Sequence, residues 1–196
     1  MIEVYRNKVS ESTLQEFESS VTQNPDMPWY YIPTSAYGDT STAPPVDQGS
    51  FTHAAFDTEI GGSPLAGLCM KALEEAAADV AGIQEYRVTR IRLGMHTWGL
   101  SRVINDPHVD ADREHMVGLL YLNDSDGDTV IYNETFDPLG TISSREQYDS
   151  ITSFTKLASI TPKKGTFLFF NGKHYHSSST PTAHANRVVV NFNLEK

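Results

Sequence analysis

The chain has 196 residues, 39% of them apolar, and carries 15 Lys and Arg against 25 Asp and Glu. A formal charge of −10 offers no basic face for a phosphate backbone and no polybasic stretch for an anionic membrane, so neither nucleic acid nor a membrane surface is an expected partner. Cys69 is the single cysteine, no apolar run approaches the roughly 18 residues that cross a bilayer, and the start lacks a signal-peptide pattern; the expectation is one cytoplasmic domain over residues 1–196, free of disulfides.

Residues 1–85 read as helical and loop support. Leu14, Phe17 and Val21 recur at helical spacing within Ser10–Val21, with Ser10 or Ser12 as N-cap. Residues 25–61 are rich in Pro, Gly, Ser, Thr and aromatics and predict an irregular covering flap, in which Trp29, Tyr30 and Tyr31 serve as lid, substrate wall or core packing. Ser63–Ile83 is the strongest helical pattern, with Ser63 as N-cap and Pro64 at the first helical position. Cys69 falls on its apolar face, where a thiol is buried and inert.

Past residue 85 the period changes to two. Tyr86, Val88, Ile91 and Leu93 predict a strand ending at Gly94, followed by Val117–Asn123 and Thr129–Tyr132, joined by a hairpin turn at Asp124–Asp128. A short helix is expected within Ser144–Leu157. Ile160, a turn at Pro162–Gly165, Thr166–Asn171 and Arg187–Leu194 complete a strand-rich half. The sum is an α+β fold: a jelly-roll core over residues 86–194, with helices packed outside and drawn mostly from the N-terminal half.

Chemistry concentrates in Asp106-Pro-His108-Val-Asp110. Side chains two apart on extended backbone point the same way, so His108 and Asp110 are placed to share a cation. Alone this pair is common. A second imidazole following the apolar run Phe167–Asn171 completes two imidazoles and one carboxylate, a set that leaves positions open on Fe(II). His174 and His176 both compete for that place. Further on, Arg187 opens the strand Val188–Leu194, where a guanidinium inside a barrel would bind a carboxylate bidentately.

The order His108-x-Asp110, His176, Arg187 resembles the Fe(II)/2-oxoglutarate-dependent dioxygenases, and most of all the prolyl-4-hydroxylase-like group with its small bacterial and phage members. The stretch Gly118-Leu-Leu-Tyr-Leu-Asn123 is similar to that group's tyrosine-bearing strand. Asp126-Gly-Asp-Thr129 is similar to its Gly-Gly-Glu-Thr turn, with Asp126 and Asp128 departing from the usual Gly and Glu. Lys164–Asn171 resembles the strand before the second iron histidine, and the context Tyr175-His176-Ser177 favours His176 over His174. The likeness spans residues 86–194. It implies the double-stranded β-helix form of the jelly roll, His108, Asp110 and His176 as catalytic iron ligands, and Arg187 as holder of the distal carboxylate of 2-oxoglutarate, assisted by Tyr121. Many members have Ser or Thr two residues after the arginine. Here it is Val189, so Tyr121, Thr129 or Asn191 is left to supply the neutral hydrogen bond. The implied reaction hydroxylates an aliphatic carbon of a peptidyl substrate, prolyl residues included, or of a small molecule, releasing succinate and CO2, with ascorbate as an aid to activity. The rival reading is a non-catalytic metal-binding jelly-roll module.

The remaining residues have ordinary readings. His53, His96, His115 and His184 are wall or surface groups, with His96 a candidate for the pocket. Arg90 and Arg92 belong to an exposed strand face unless one turns to the site, and Arg102 and Arg113 are solvated charges flanking the His108 loop. The Asp124–Asp128 cluster lacks the spacing of a calcium loop.

Overall fold

In the computed structural model, residues 1–33, 49–80 and 82–196 are described. The proline pair Pro44-Pro45 within the expected flap lies outside them, as does Ala81 near the end of the second helical pattern. Among the described residues, eleven strands and three α-helices follow one another: β1 (Ile2–Tyr5), α1 (Glu11–Phe17), β2 (Tyr30–Ile32), β3 (Ser50–Asp57), β4 (Gly61–Gly62), α2 (Ala66–Ala77), β5 (Arg87–Thr97), β6 (Met116–Tyr121), β7 (Thr129–Thr135), α3 (Ser144–Ser150), β8 (Lys156–Ile160), β9 (Phe167–Asn171), β10 (His174–Ser178) and β11 (Asn186–Glu195).

The strands form two antiparallel sheets. The larger has the order β1-β9-β6-β11-β5-β3-β2, with β4 paired to β3, and the smaller has the order β10-β7-β8. Strand parity sorts their side chains. On the outer face of the large sheet, Ile91, Leu93, Leu120, Phe167, Phe169, Val190 and Phe192 pack with Leu14, Phe17, Leu68 and Leu73 of the helices. On its inner face, Val117, Leu119, Tyr121, Leu168, Phe170 and Val189 meet Ile131 of the small sheet. Both faces are covered, which is why β6 and β9 read as unbroken apolar runs rather than alternating ones. Tyr132, Tyr175 and Phe136 make a third cluster with Tyr148 and Phe154 behind the small sheet. The result is a double-stranded β-helix with α1 and α2 against the large sheet.

Several expectations are corrected. The 25–61 segment is not irregular throughout: β3 occupies eight of its residues and pairs along β5. Its Ala and Phe positions gave the alternation little contrast. Asp124–Asp128 is not a hairpin turn, because β6 and β7 lie in different sheets and the segment crosses between them. Each carboxylate there is bound. Asp124 accepts from Lys163 Nζ and Lys164 N, Asp126 from the backbone and hydroxyl of Thr182, and Asp128 from Ser159 and Thr161. A long helix from Ser63 is also corrected: α2 starts at Ala66, and the Ser63 hydroxyl instead accepts from Leu65 N at 3.3 Å in the preceding turn. Ser10 does cap α1, accepting from Thr13 N, and the helix continues through Glu18–Thr22 as a π-helical turn. Ser143 and Glu146 form a reciprocal capping box on α3, which ends at Ser150 rather than Leu157.

Candidate active site

Alternation on β11 and β5 builds one wall of the cavity between the sheets. Arg187, Val189, Asn191 and Asn193 share the inner face of β11, and in register beside them stand His96, Gly94, Arg92 and Arg90 of β5. β3 adds Ser50, Phe51 and Thr52, and β2 adds Ile32. Thr129 of β7 and His176, Ser177 and Ser178 of β10 close the opposite side. The space amounts to about 690 Å³, counting its open mouth.

The backbone itself brings the two histidines together. The segment before residue 110 runs antiparallel along the free edge of β10: Asn105 N donates to Ser178 O at 2.9 Å, His108 N to His176 O at 3.0 Å, and His176 N back to His108 O at 2.9 Å. Directly opposed residues present their side chains together, and the two imidazole rings lie 4.7 Å apart. Asp110, two residues on, joins them. One donor atom from each of His108, Asp110 and His176 lies within 4.8 Å of the other two, and His176 Nε2 is 3.8 Å from Asp110 Oδ2.

Hydrogen bonding decides which nitrogen is offered. His108 Nδ1 faces the carbonyl of Asp106 at 3.3 Å, and His176 Nδ1 faces that of His174 at 3.2 Å. A carbonyl only accepts, so the proton sits on Nδ1 and each Nε2 keeps its lone pair for the centre of the triad. Burial, with His108 beside it, pushes His176 down to about 4 against the pull of Asp110, so the ring is neutral at pH 7. Burial works to raise the Asp110 carboxyl, but His176, Arg90, His108 and the Asn191 amide outweigh it and hold the group well below the usual carboxylate range. Asp110 is thus ionised. Its Oδ2 accepts from Asn191 Nδ2 at 3.0 Å and Asn193 Nδ2 at 2.9 Å, and Arg90 Nη2 lies 3.3 Å from Oδ1. Two imidazoles and a carboxylate, with side-chain and backbone partners fixing their orientation, suit a single divalent transition-metal ion.

The other end of the cavity holds Arg187, only 3% exposed. Its Nη2 donates to Thr129 Oγ1 at 2.7 Å, and its guanidinium carbon lies 5.8 Å from the centre of the Tyr121 ring. Tyr121 donates its own hydroxyl to Thr129 Oγ1 at 2.8 Å. Among the described residues no carboxylate pairs with Arg187, and its buried Nε has no partner. A desolvated cation without a counter-charge is costly, and this one faces a cavity.

The expected site residues fall as follows. His108, Asp110 and His176 converge, and Arg187 lies in the same cavity. Tyr121 stands behind Thr129 rather than on the cavity surface. Of the three groups expected to assist Arg187, Thr129 makes the direct bond, while Asn191 serves Asp110. His174 turns away to the Tyr132 carbonyl at 2.8 Å. His96 does line the cavity, bound to Ser178 Oγ at 3.0 Å and pushed down to about 3 by burial and by Arg187 and His108. Arg90 is no exposed bystander, since it braces Asp110. Asn193 escaped the sequence reading, although its place on the Arg187 face of β11 was available from period-two counting. Arg102 pairs with Asp126 and Arg113 with Glu195, so neither is merely solvated. His184 also has a partner, Asp126, at 3.0 Å. Trp29 packs on the core, while Tyr30 and Tyr31 are exposed.

No sequence-family model and no curated protein matches the chain. Solved structures do. A 2OG-Fe(II) oxygenase family oxidoreductase from Burkholderia pseudomallei aligns with a TM-score of 0.63 at 14% identity, over 99% of this chain and 84% of that one. A prolyl hydroxylase from Trichoplax adhaerens, in complex with a hypoxia inducible factor peptide fragment, aligns at 0.60 and 14%, over 98% and 82%. A Pseudomonas putida prolyl-4-hydroxylase aligns at 0.57 and 11%, over 100% and 92%. With a His–Asp–His triad and a buried arginine facing one cavity between its sheets, the chain has the double-stranded β-helix fold that these 2-oxoglutarate oxygenases share.

Proposed function

We propose that the protein is an Fe(II)/2-oxoglutarate-dependent dioxygenase that hydroxylates an aliphatic carbon of a peptidyl or small-molecule substrate, with release of succinate and CO2. The observation that carries this reading is the pairing, in one cavity, of a metal-competent triad with a buried Arg187 that forms an ion pair with no described carboxylate. The first calls for a cation and the second for a carboxylate, and a 2-oxo diacid answers both.

The chain's own residues have separable roles. His108, Asp110 and His176 would hold the iron, which when bound supplies the oxidising chemistry with O2 and the keto acid. Asn191, Asn193 and Arg90 keep Asp110 ionised and oriented. Arg187 takes the distal carboxylate through its fork of donors. The Thr129 hydroxyl, already accepting from Arg187 and Tyr121, keeps its own proton to donate to that carboxylate. Leu119 and Val189 give the space apolar walls, so polar interactions inside it are little screened.

The test is anaerobic titration of purified protein with Fe(II) and 2-oxoglutarate, followed by oxygen and a succinate assay. A visible iron–keto-acid band that depends on Arg187, and succinate formed on admitting oxygen, are expected. Metal binding without either would favour a non-catalytic metal-binding jelly roll.

A further inference from the structure

The cavity is electropositive in a chain that is strongly acidic. Among the described residues that line it, Arg90, Arg92 and Arg187 face a single carboxylate, Asp110, while the protein as a whole carries −10. Two of the three guanidiniums are already engaged. Arg90 donates Nε to Asn193 Oδ1 at 2.7 Å and reaches Asp110. Arg187 bonds Thr129. Arg92 makes no hydrogen bond and no ion pair with any described residue, and Asp110 and Asp57 act on it only through space.

Its place in the sheet explains why. In register, Arg92 stands between Ala54 of β3 and Asn191 of β11, one small and one neutral neighbour. On β5 the next inward residue is Gly94, beside which an added Cβ would meet nothing nearer than Val189 Cγ2 at 3.7 Å. Arg92 therefore borders open space. Arg187 is four residues along β11 from Asn191, or roughly 14 Å at strand rise, so one small dicarboxylate held at Arg187 leaves Arg92 unmatched. Beside Arg92, Asn191 turns its amide to Asp110 and leaves Oδ1 buried with no partner. Arg92 is thus an exposed cation on the cavity wall, near the triad, set apart from Arg187 and without a protein partner among the described residues.

We propose that Arg92 anchors the substrate proper through an oxyanion, a carboxylate or a phosphate. The substrate class is then an acidic small molecule such as an N-acyl amino acid, rather than a neutral chain segment. This rests on the oxygenase reading of the cavity and deepens it. Guanidinium binds either oxyanion through two parallel bonds, which an ammonium cannot reproduce.

The experiment uses N-acetyl amino acids as matched probes: the free acids, their primary amides, and N-acetyl-O-phosphoserinamide. Binding to anaerobic protein loaded with Mn(II) and 2-oxoglutarate is read from paramagnetic broadening of the probe's NMR signals, and binding to metal-free protein from saturation transfer. At least one acid or the phosphate should bind tenfold or more tightly than its neutral counterpart. Arg92→Gln should erase that preference, and Arg92→Lys should restore part of it. A preference confined to the phosphate would identify phosphate as the oxyanion, and one confined to the acids would identify carboxylate. Equal binding of acid and amide, a preference that survives Arg92→Gln, or no anionic probe binding while 2-oxoglutarate still binds would each overturn the proposal. Failure of 2-oxoglutarate itself to bind, read before any probe is added, would instead strike the oxygenase reading, and the metal-free arm would still report on Arg92.

Discussion

At the triad end of the cavity, the groups are matched: each imidazole Nδ1 has a carbonyl, and Asp110 has two amides and a guanidinium. At the opposite end, Arg187 is buried with one hydroxyl, the Tyr121 ring and an unpartnered Nε. The contrast matches the two roles proposed for the ends. A metal site needs its ligands aimed before the ion arrives, and surrounding hydrogen bonds do that. A carboxylate-binding site needs unspent donors, and among the described residues no acid pairs with the Arg187 cation, an arrangement whose cost the fold bears.

The largest effect should come from breaking the matched end. His108→Ala or Asp110→Ala should lower succinate formation by at least ~100-fold, because each would remove one of the three proposed metal ligands. Activity retained in Asp110→Ala would mean that the triad is not the reaction centre.

Arg187→Met sharpens the comparison from the other side. It should weaken 2-oxoglutarate binding by roughly 30-fold or more, the loss expected when one partner of a buried charge pair is removed. The ligand-free variant should nonetheless melt no lower than the parent, since an uncompensated buried cation has gone. A large drop in melting temperature would show that Arg187 is structural.

Gly127→Ala probes the crossover that supports Arg187. A Cβ at residue 127 would lie 2.5 Å from the Ser179 carbonyl oxygen and 3.1 Å from Arg187 Cδ. Backbone must shift, and destabilisation of roughly 1–3 kcal/mol is expected from chemical unfolding. An unchanged midpoint would show the crossover to be plastic.

The last effect is on pH and is graded rather than abrupt. His96 and His176, lowered to about 3 and about 4, bind fewer protons when folded than when unfolded. Their contribution is complete above pH ~6.5 and is lost as pH falls from there toward 4, each group adding at most about 1.4 kcal/mol per pH unit. The metal-free protein should therefore lose stability across that window, before carboxylates such as Asp110 begin to protonate. His96→Asn should flatten the slope, and an unchanged slope would contradict the burial of His96.

Much of this site was readable from short-range pattern. The spacing of His108 and Asp110, the cap at Ser10, the apolar strands β6 and β9 and the face of β11 that carries Arg187 are all properties of a few consecutive residues. Alternation and capping act locally, so the linear order reports them. Which strand pairs with which is another matter. Nothing near Asp124–Asp128 says that the chain leaves one sheet for the other, and nothing in Ser50–Asp57 says that it will lie along β5. His176 was preferred to His174 from its sequence context, but the choice is physically made by the backbone bridge between residue 108 and residue 176. The contrasting states of Arg90, braced on Asp110, and Arg92, left open between Ala54 and Asn191, come from register across three strands. Register is set by long-range burial of one sheet face against another, and that energy belongs to the assembled sandwich rather than to any segment of it.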